Sequence, residues 1–163
     1  MSYKPNEKPL TGGPSRAPYI GSQLEGADMK PFALEPNMLT MRGVFYPTGY
    51  MFLMFPTEQD ARNAEHALEE DGYSGESISL LTSQDIQEKV ARTVGNADIP
   101  LPSAGTEADT VRHFAQLASQ GHCALMIHAP TGKETGHIME VLKDAPISYG
   151  QKYRHLVIED LVE

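Results

Sequence analysis

The chain is poor in cysteine and in long apolar runs, and each shortage excludes something. Its 163 residues contain one cysteine, Cys123, and no tryptophan. A single cysteine excludes an internal disulfide, so a reducing, cytoplasmic compartment is expected. No run of about 18 apolar residues is present, which argues against a membrane span. The first residues, from Met1 to Asn6, contain no apolar core of the kind that a signal peptide needs.

Basic residues are also scarce. The chain has 13 Lys and Arg against 22 Asp and Glu, which gives a formal net charge of −9. Nucleic-acid binding depends on Lys and Arg that neutralise phosphates, and a polybasic patch is needed to hold an anionic membrane surface. The composition therefore predicts neither nucleic acid nor a membrane as a partner.

Proline, by contrast, is concentrated at one end. Seven of the twelve prolines lie in the first 47 residues, which have a net charge of +1, whereas residues 48–163 carry −10. Because proline fixes φ and removes a donor, we expect residues 1–47 to form an extended arm and residues 48–163 to form one domain. The arm contains apolar side chains such as Phe32 and Phe45. We therefore expect it to pack on its own body or on a neighbouring subunit.

The domain alternates between the signals of strands and helices. Capping residues and apolar positions at helical spacing mark the helices, and compact runs of apolar and aromatic residues mark the strands. The predicted order is β-α-β-α-α-β-α-β, with strands at 48–55, 76–81, 122–129 and 149–158, helices at 57–72, 82–95, 106–121 and 131–145, and a loop at 96–105. This order predicts an α+β fold: a ferredoxin-like split βαβ sandwich, with a four-stranded antiparallel sheet and two extra helices inserted in its middle.

Two stretches of the domain carry a family resemblance. The first is the sequence ALEEDGYSGESISLL at residues 67–81, in which a helix, a Gly-Tyr turn and a strand follow one another. The second is GHCALMIHA at residues 121–129, a glycine followed by an apolar strand. Over residues 48–145 the chain resembles the bacterial general (heat-induced) stress protein domain. That resemblance implies a ferredoxin-like, non-enzymatic domain with a role in stress, and it implies no catalytic residue.

One turn has features of an anion site. The stretch from Ala129 to Thr135 contains Thr131, Gly132 and Lys133 at a predicted helix start, but it lacks the remaining residues of a phosphate loop. Free N–H groups at a helix start, helped by Lys133, can bind a small anion. His128 or His137 is placed to act as an acid–base group beside it.

Metal chemistry has weaker signals. His122 and His128 share one face of a predicted strand, but at strand rise they lie about 20 Å apart, too far to share a metal. No CxxC or HExxH pattern is present. We therefore predict no metal site and no cofactor.

The first strand is apolar on both faces, which is unusual for an antiparallel sheet with a solvated side. Tyr50, Phe52 and Met54 share one face. Two explanations for the burial of this face remain open. It is covered by a subunit or partner interface formed with Phe32 and Phe45 of the arm, or it is covered within one chain.

These observations support two hypotheses about function. The first is a non-enzymatic, cytoplasmic protein that acts through homo-oligomerisation or docking to a protein partner. The alternative is a small-molecule enzyme or a ligand-binding sensor, with an anionic ligand at the turn and helix start of residues 130–137.

Overall fold

The computed structural model describes residues 30–41, 43–94, 105–155 and 157–162. Within these residues the fold is α+β, with four helices and one six-stranded mixed sheet. The strands are β1 (Lys30–Pro31), β2 (Tyr50–Phe55), β3 (Ile78–Leu81), β4 (Cys123–His128), β5 (Tyr149–Arg154) and β6 (Val157–Asp160). The helices are α1 (Glu58–Glu70), α2 (Ser83–Asp85), α3 (Gly105–Ser119) and α4 (Gly132–Val141). In the same part of the chain, no helix has the length and apolar composition that crossing a bilayer needs.

Local sequence signals explain where the helices begin. Thr57 caps α1 by accepting a hydrogen bond from the amide of Asp60, and Thr131 caps α4 through a reciprocal pair with Glu134. Helix α2 is irregular: after its first turn the chain continues as a π-helical segment, Ile86–Val90, and a 3₁₀ segment. The predicted loop at 96–105 lies outside the described residues except for Gly105, where α3 begins.

The strands lie in the order β1-β3-β4-β2-β5-β6. Strand β1 is parallel to β3, and every other neighbouring pair is antiparallel. The prediction of a four-stranded antiparallel sheet was therefore wrong in strand number. The run predicted as one strand at 149–158 turns at His155 and folds back as β6, and two residues of the predicted arm add β1 at the other edge.

The two faces of β2 separate two apolar clusters, as its sequence predicts. Met51, Leu53 and Phe55 face α1 and α4, while Phe52 and Met54 face the opposite layer. That opposite layer consists of α3, the irregular helix at 83–94 and the segment 32–45. The sheet is thus covered on both faces within a single chain.

The segment 32–45 is an integral part of this second layer. Its buried side chains are Phe32, Met38, Val44 and Phe45. The ring of Phe45 lies 5.7 Å from that of Phe52 and 6.1 Å from that of Tyr153, both in edge-to-face geometry. This part of the predicted arm therefore packs on its own body, while residues 1–29 lie outside the described residues.

Candidate functional site

The sequence-predicted anion site is only partly assembled. His128 ends β4, and its ring lies 4.9 Å from that of Tyr50 on the neighbouring strand. Thr131, Gly132 and Lys133 form the start of α4 and are exposed. His137 is directed elsewhere: its Nε2 lies 2.5 Å from Oδ2 of Asp71, just after the end of α1. The structure thus groups four of the five predicted residues and separates the fifth.

The start of α4 already has an anion of its own. Oε1 of Glu134 accepts hydrogen bonds from the amide and hydroxyl of Thr131, at 3.1 and 2.8 Å. The side-chain and backbone hydrogen bonds from Thr131 lower the pKa of Glu134, and His128 and Lys152 lower it further. The carboxylate of Glu134 already occupies the capping position. The start of the helix should therefore bind an external anion less well than its sequence suggests.

Two basic residues that the sequence did not indicate lie close to this turn, the buried Lys152 and the exposed Arg154. Lys152 is 2% exposed, and its Nζ donates hydrogen bonds to the carbonyl of Ala129 and to Oγ1 of Thr135. Burial lowers the pKa of Lys152 below its ordinary value, and Arg154 lowers it further. A Cβ placed on Gly132 would lie 3.7 Å from Nη2 of Arg154. No local sequence signal indicated these contacts, because β5 follows the turn by about twenty residues.

The predicted interface residues lie inside the chain. Phe45, Phe52 and Met54 are fully buried, Phe32 is almost so, and Tyr50 packs at the edge of the same cluster. Their contacts are with α3, the helix at 83–94 and β5. The four phenylalanine and methionine side chains thus form a core layer and are not available as a surface, whereas Tyr50 is half-buried.

A different place has the shape of a binding site. A cleft of about 690 Å³ opens between the segment 37–48, the first turn of α3 and the β5–β6 hairpin. We call it the Tyr46 cleft. The residues that line it are Asn37, Leu39, Thr40, Met41, Tyr46, Thr48, Glu107, His155, Val157 and Ile158. Ligand sites commonly have volumes of about 300–1,000 Å³ and combine apolar walls with a few polar groups.

Tyr46 is held firmly in the wall of this cleft. Its hydroxyl donates a 2.6 Å hydrogen bond to the carbonyl of Arg154, and its ring lies 5.0 Å from that of Tyr153. Tyr153 is fully buried, and within the described part of the chain its hydroxyl has no hydrogen-bond partner. Tyr153 is not among the described residues that line the cleft, so its ring supports that of Tyr46 from the core side.

Glu107 is the carboxylate of the cleft and is half-buried. Burial raises the pKa of Tyr46, and the negative charge of Glu107 raises it further. The pKa of Tyr153 lies well above its ordinary value, mainly because of burial, with further contributions from Tyr149, Tyr46 and Glu107. The field of Glu107 therefore reaches both phenols.

Metal and thiol chemistry find little support here. Over the described ranges, no group of three His, Cys, Asp or Glu side chains could hold a metal ion. Cys123 is buried, and burial raises the pKa of its thiol, which opposes the reactive thiolate form.

Comparison with protein-family models, with curated proteins and with solved structures gives no match for this chain. The resemblance to the stress protein domain accordingly stays a prediction.

Proposed function

We propose that the protein is a ligand-binding domain and that the Tyr46 cleft is its site for a small organic molecule. The observation that carries this proposal is the cleft itself, at about 690 Å³ with apolar walls and convergent polar groups from three parts of the chain. Its position differs from the site that the sequence indicated at residues 130–137. The proposal requires binding but no catalytic step.

Further support comes from how the walls are built. Leu39 and Phe45 form an antiparallel bridge, so the segment that supplies Met41 folds back as a hairpin. The amide of Phe45 donates a 2.9 Å hydrogen bond to Oγ1 of Thr93, which anchors that hairpin to the irregular helix at 83–94. A cleft with anchored walls is largely preformed, and preformed sites lose less entropy on binding.

A fragment library followed by two-dimensional NMR tests the proposal. We expect ligands that shift the protein resonances of Tyr46, Thr48 and Val157. We expect Thr48→Trp to block their binding, because Thr48 is exposed at the cleft. Lys143→Trp introduces the same side chain at an exposed position of the 142–144 turn, away from the cleft. Equal loss of binding in both variants, or shifts scattered over the surface, would contradict the proposal.

We also propose that the fold is of the ferredoxin-like kind. The central strands lie in the order β3-β4-β2-β5 with every neighbouring pair antiparallel, and α1 and α4 cover one face together. This is the arrangement expected of two split βαβ units. On this view β1, β6, α3 and the helix at 83–94 are additions to the basic fold.

A second candidate function is association through the β6 edge, either with another copy or with a protein partner. Strand β6 ends the sheet, and two apolar side chains near it are exposed: Met41 fully, and Val157 by 54%. Unprotected edge strands can pair with another chain. Sedimentation equilibrium over a hundredfold concentration range tests this candidate. A monomer at every concentration would rule out self-association, and an oligomer that Val157→Lys leaves intact would rule out the β6 edge as its interface.

A further inference from the structure

We propose that the molecule bound in the Tyr46 cleft is a small amphipathic organic cation, such as a primary amine that carries an aromatic or alkyl group. Its ammonium group lies against Glu107 and the ring of Tyr46, and its apolar part lies on Met41 and Val157. This inference deepens the proposed function and rests on it.

The first support is the charge of the lining. Glu107 is the one carboxylate among the described lining residues, and the only basic side chain there is the exposed His155. The side chain of the neighbouring Arg154 is not part of the described lining, and its Nε forms a 2.9 Å ion pair with Oε1 of Glu159. A partly buried carboxylate at the wall of a cleft favours a cation and disfavours an anion.

The second support is the aromatic wall. The hydrogen bond from Tyr46 to the carbonyl of Arg154 holds the phenol ring in place, and the edge-to-face contact with Tyr153 supports it from behind. A cation within about 6 Å of such a ring is attracted by the negative face of its π-system. Ring and carboxylate thus favour the same kind of ligand.

The third support is the charge of the chain. The full sequence carries a formal net charge of −9. A field of this sign raises the local concentration of cations and repels anions. The basic residues near α4 do not reverse this preference, because Glu134 and Glu159 lie beside Lys152 and Arg154.

The test uses three compounds that share one apolar part: phenethylamine, 2-phenylethanol and phenylacetate. Each is titrated into the full chain to about 10 mM and followed by two-dimensional NMR at low salt, since compounds of this size bind weakly. We expect the amine to bind about fivefold more tightly than the alcohol, and the carboxylate to bind least.

Glu107→Gln should bring the amine to the affinity of the alcohol and leave the alcohol unchanged. Asp109→Asn is the matched control, because Asp109 lies on the same helix, is largely exposed and pairs with Arg112. It should retain the preference for the amine.

The outcomes separate the two proposals. Binding of all three compounds at the cleft with equal affinity, or a preference for the amine that survives Glu107→Gln, overturns the cation inference and leaves the ligand-binding proposal standing. Absence of shifts at the cleft with every compound and with the fragment library overturns both.

Discussion

Replacing Phe45 by alanine tests whether the segment 32–45 belongs to the cooperative core of a single chain. Phe45 is fully buried, and the rings of Phe32, Phe52 and Tyr153 all lie within 6.4 Å of its own. Truncation of a buried phenylalanine costs about 3–5 kcal/mol, which combines lost transfer energy with the cavity left behind. We expect a loss at the upper end, because three aromatic contacts disappear together.

The assay is equilibrium unfolding in urea, with thermal unfolding as a second measurement. For a chain of this size, a loss of about 4 kcal/mol corresponds to a fall in melting temperature of roughly 8–16 °C. Met41→Ala is the matched control, because Met41 lies in the same segment but is fully exposed. It should change the free energy of unfolding by less than about 0.5 kcal/mol.

Two results would refute this reasoning. A loss below about 1 kcal/mol for Phe45→Ala would mean that the segment does not pack in the folded core, since buried aromatic truncations cost more than that. A midpoint that rises with protein concentration, and still does so when Val157→Lys places a charge at the β6 edge, would mean that a second copy supplies the cover, because association makes stability depend on concentration.

Two further predictions concern backbone fit and a buried charge. Gly150→Ala should lower the free energy of unfolding in urea by about 1–3 kcal/mol, because its Cβ would lie 3.0 Å from Cδ2 of Leu53. The control is Gly136→Ala, at an exposed position of α4 with open space around it, which should raise the free energy of unfolding by about 0.5–1 kcal/mol. Equal effects would contradict the packing around Gly150. Burial lowers the pKa of Lys152 from 10.5, so the unfolded state binds more protons between the two pKa values. The stability of the wild type relative to Lys152→Met should therefore rise as the pH increases towards 10.5 from below; a flat or falling difference in urea titrations would contradict the burial of the charge.

Several features of the fold could be predicted because they depend on local sequence. The two apolar faces of β2 follow from the alternation of side chains along a strand, and the caps of α1 and α4 follow from Thr57 and Thr131 with an acid three residues later. The number of strands could not be predicted in this way. β1 is only two residues long. The turn at His155 interrupts a run rich in strand-forming residues, and neither a glycine nor a proline marks that turn in the sequence.

The Tyr46 cleft could not be predicted from the sequence either, for a different reason. Its key hydrogen bond joins residues 108 positions apart, and Glu107 has an adequate explanation as an acidic residue in the first turn of a helix. The one sequence signal was the excess of apolar residues in the arm. That signal indicated packing, but not that Met41 would stay exposed at the rim of a cleft.

The core and the Tyr46 cleft share an aromatic wall, so a change in the core should also affect binding in the cleft. Tyr46 packs on Tyr153, and Tyr153 packs on Phe45, so a chain of edge-to-face rings connects the cleft to the centre of the second layer. A cavity at Phe45 would remove the support behind Tyr153 and let the ring of Tyr46 move. Because a preformed wall limits the entropy lost on binding, Phe45→Ala should weaken amine binding even where the protein stays folded. Glu107→Gln, in contrast, should weaken it without loosening the aromatic layer, which separates the electrostatic contribution from the contribution of the scaffold.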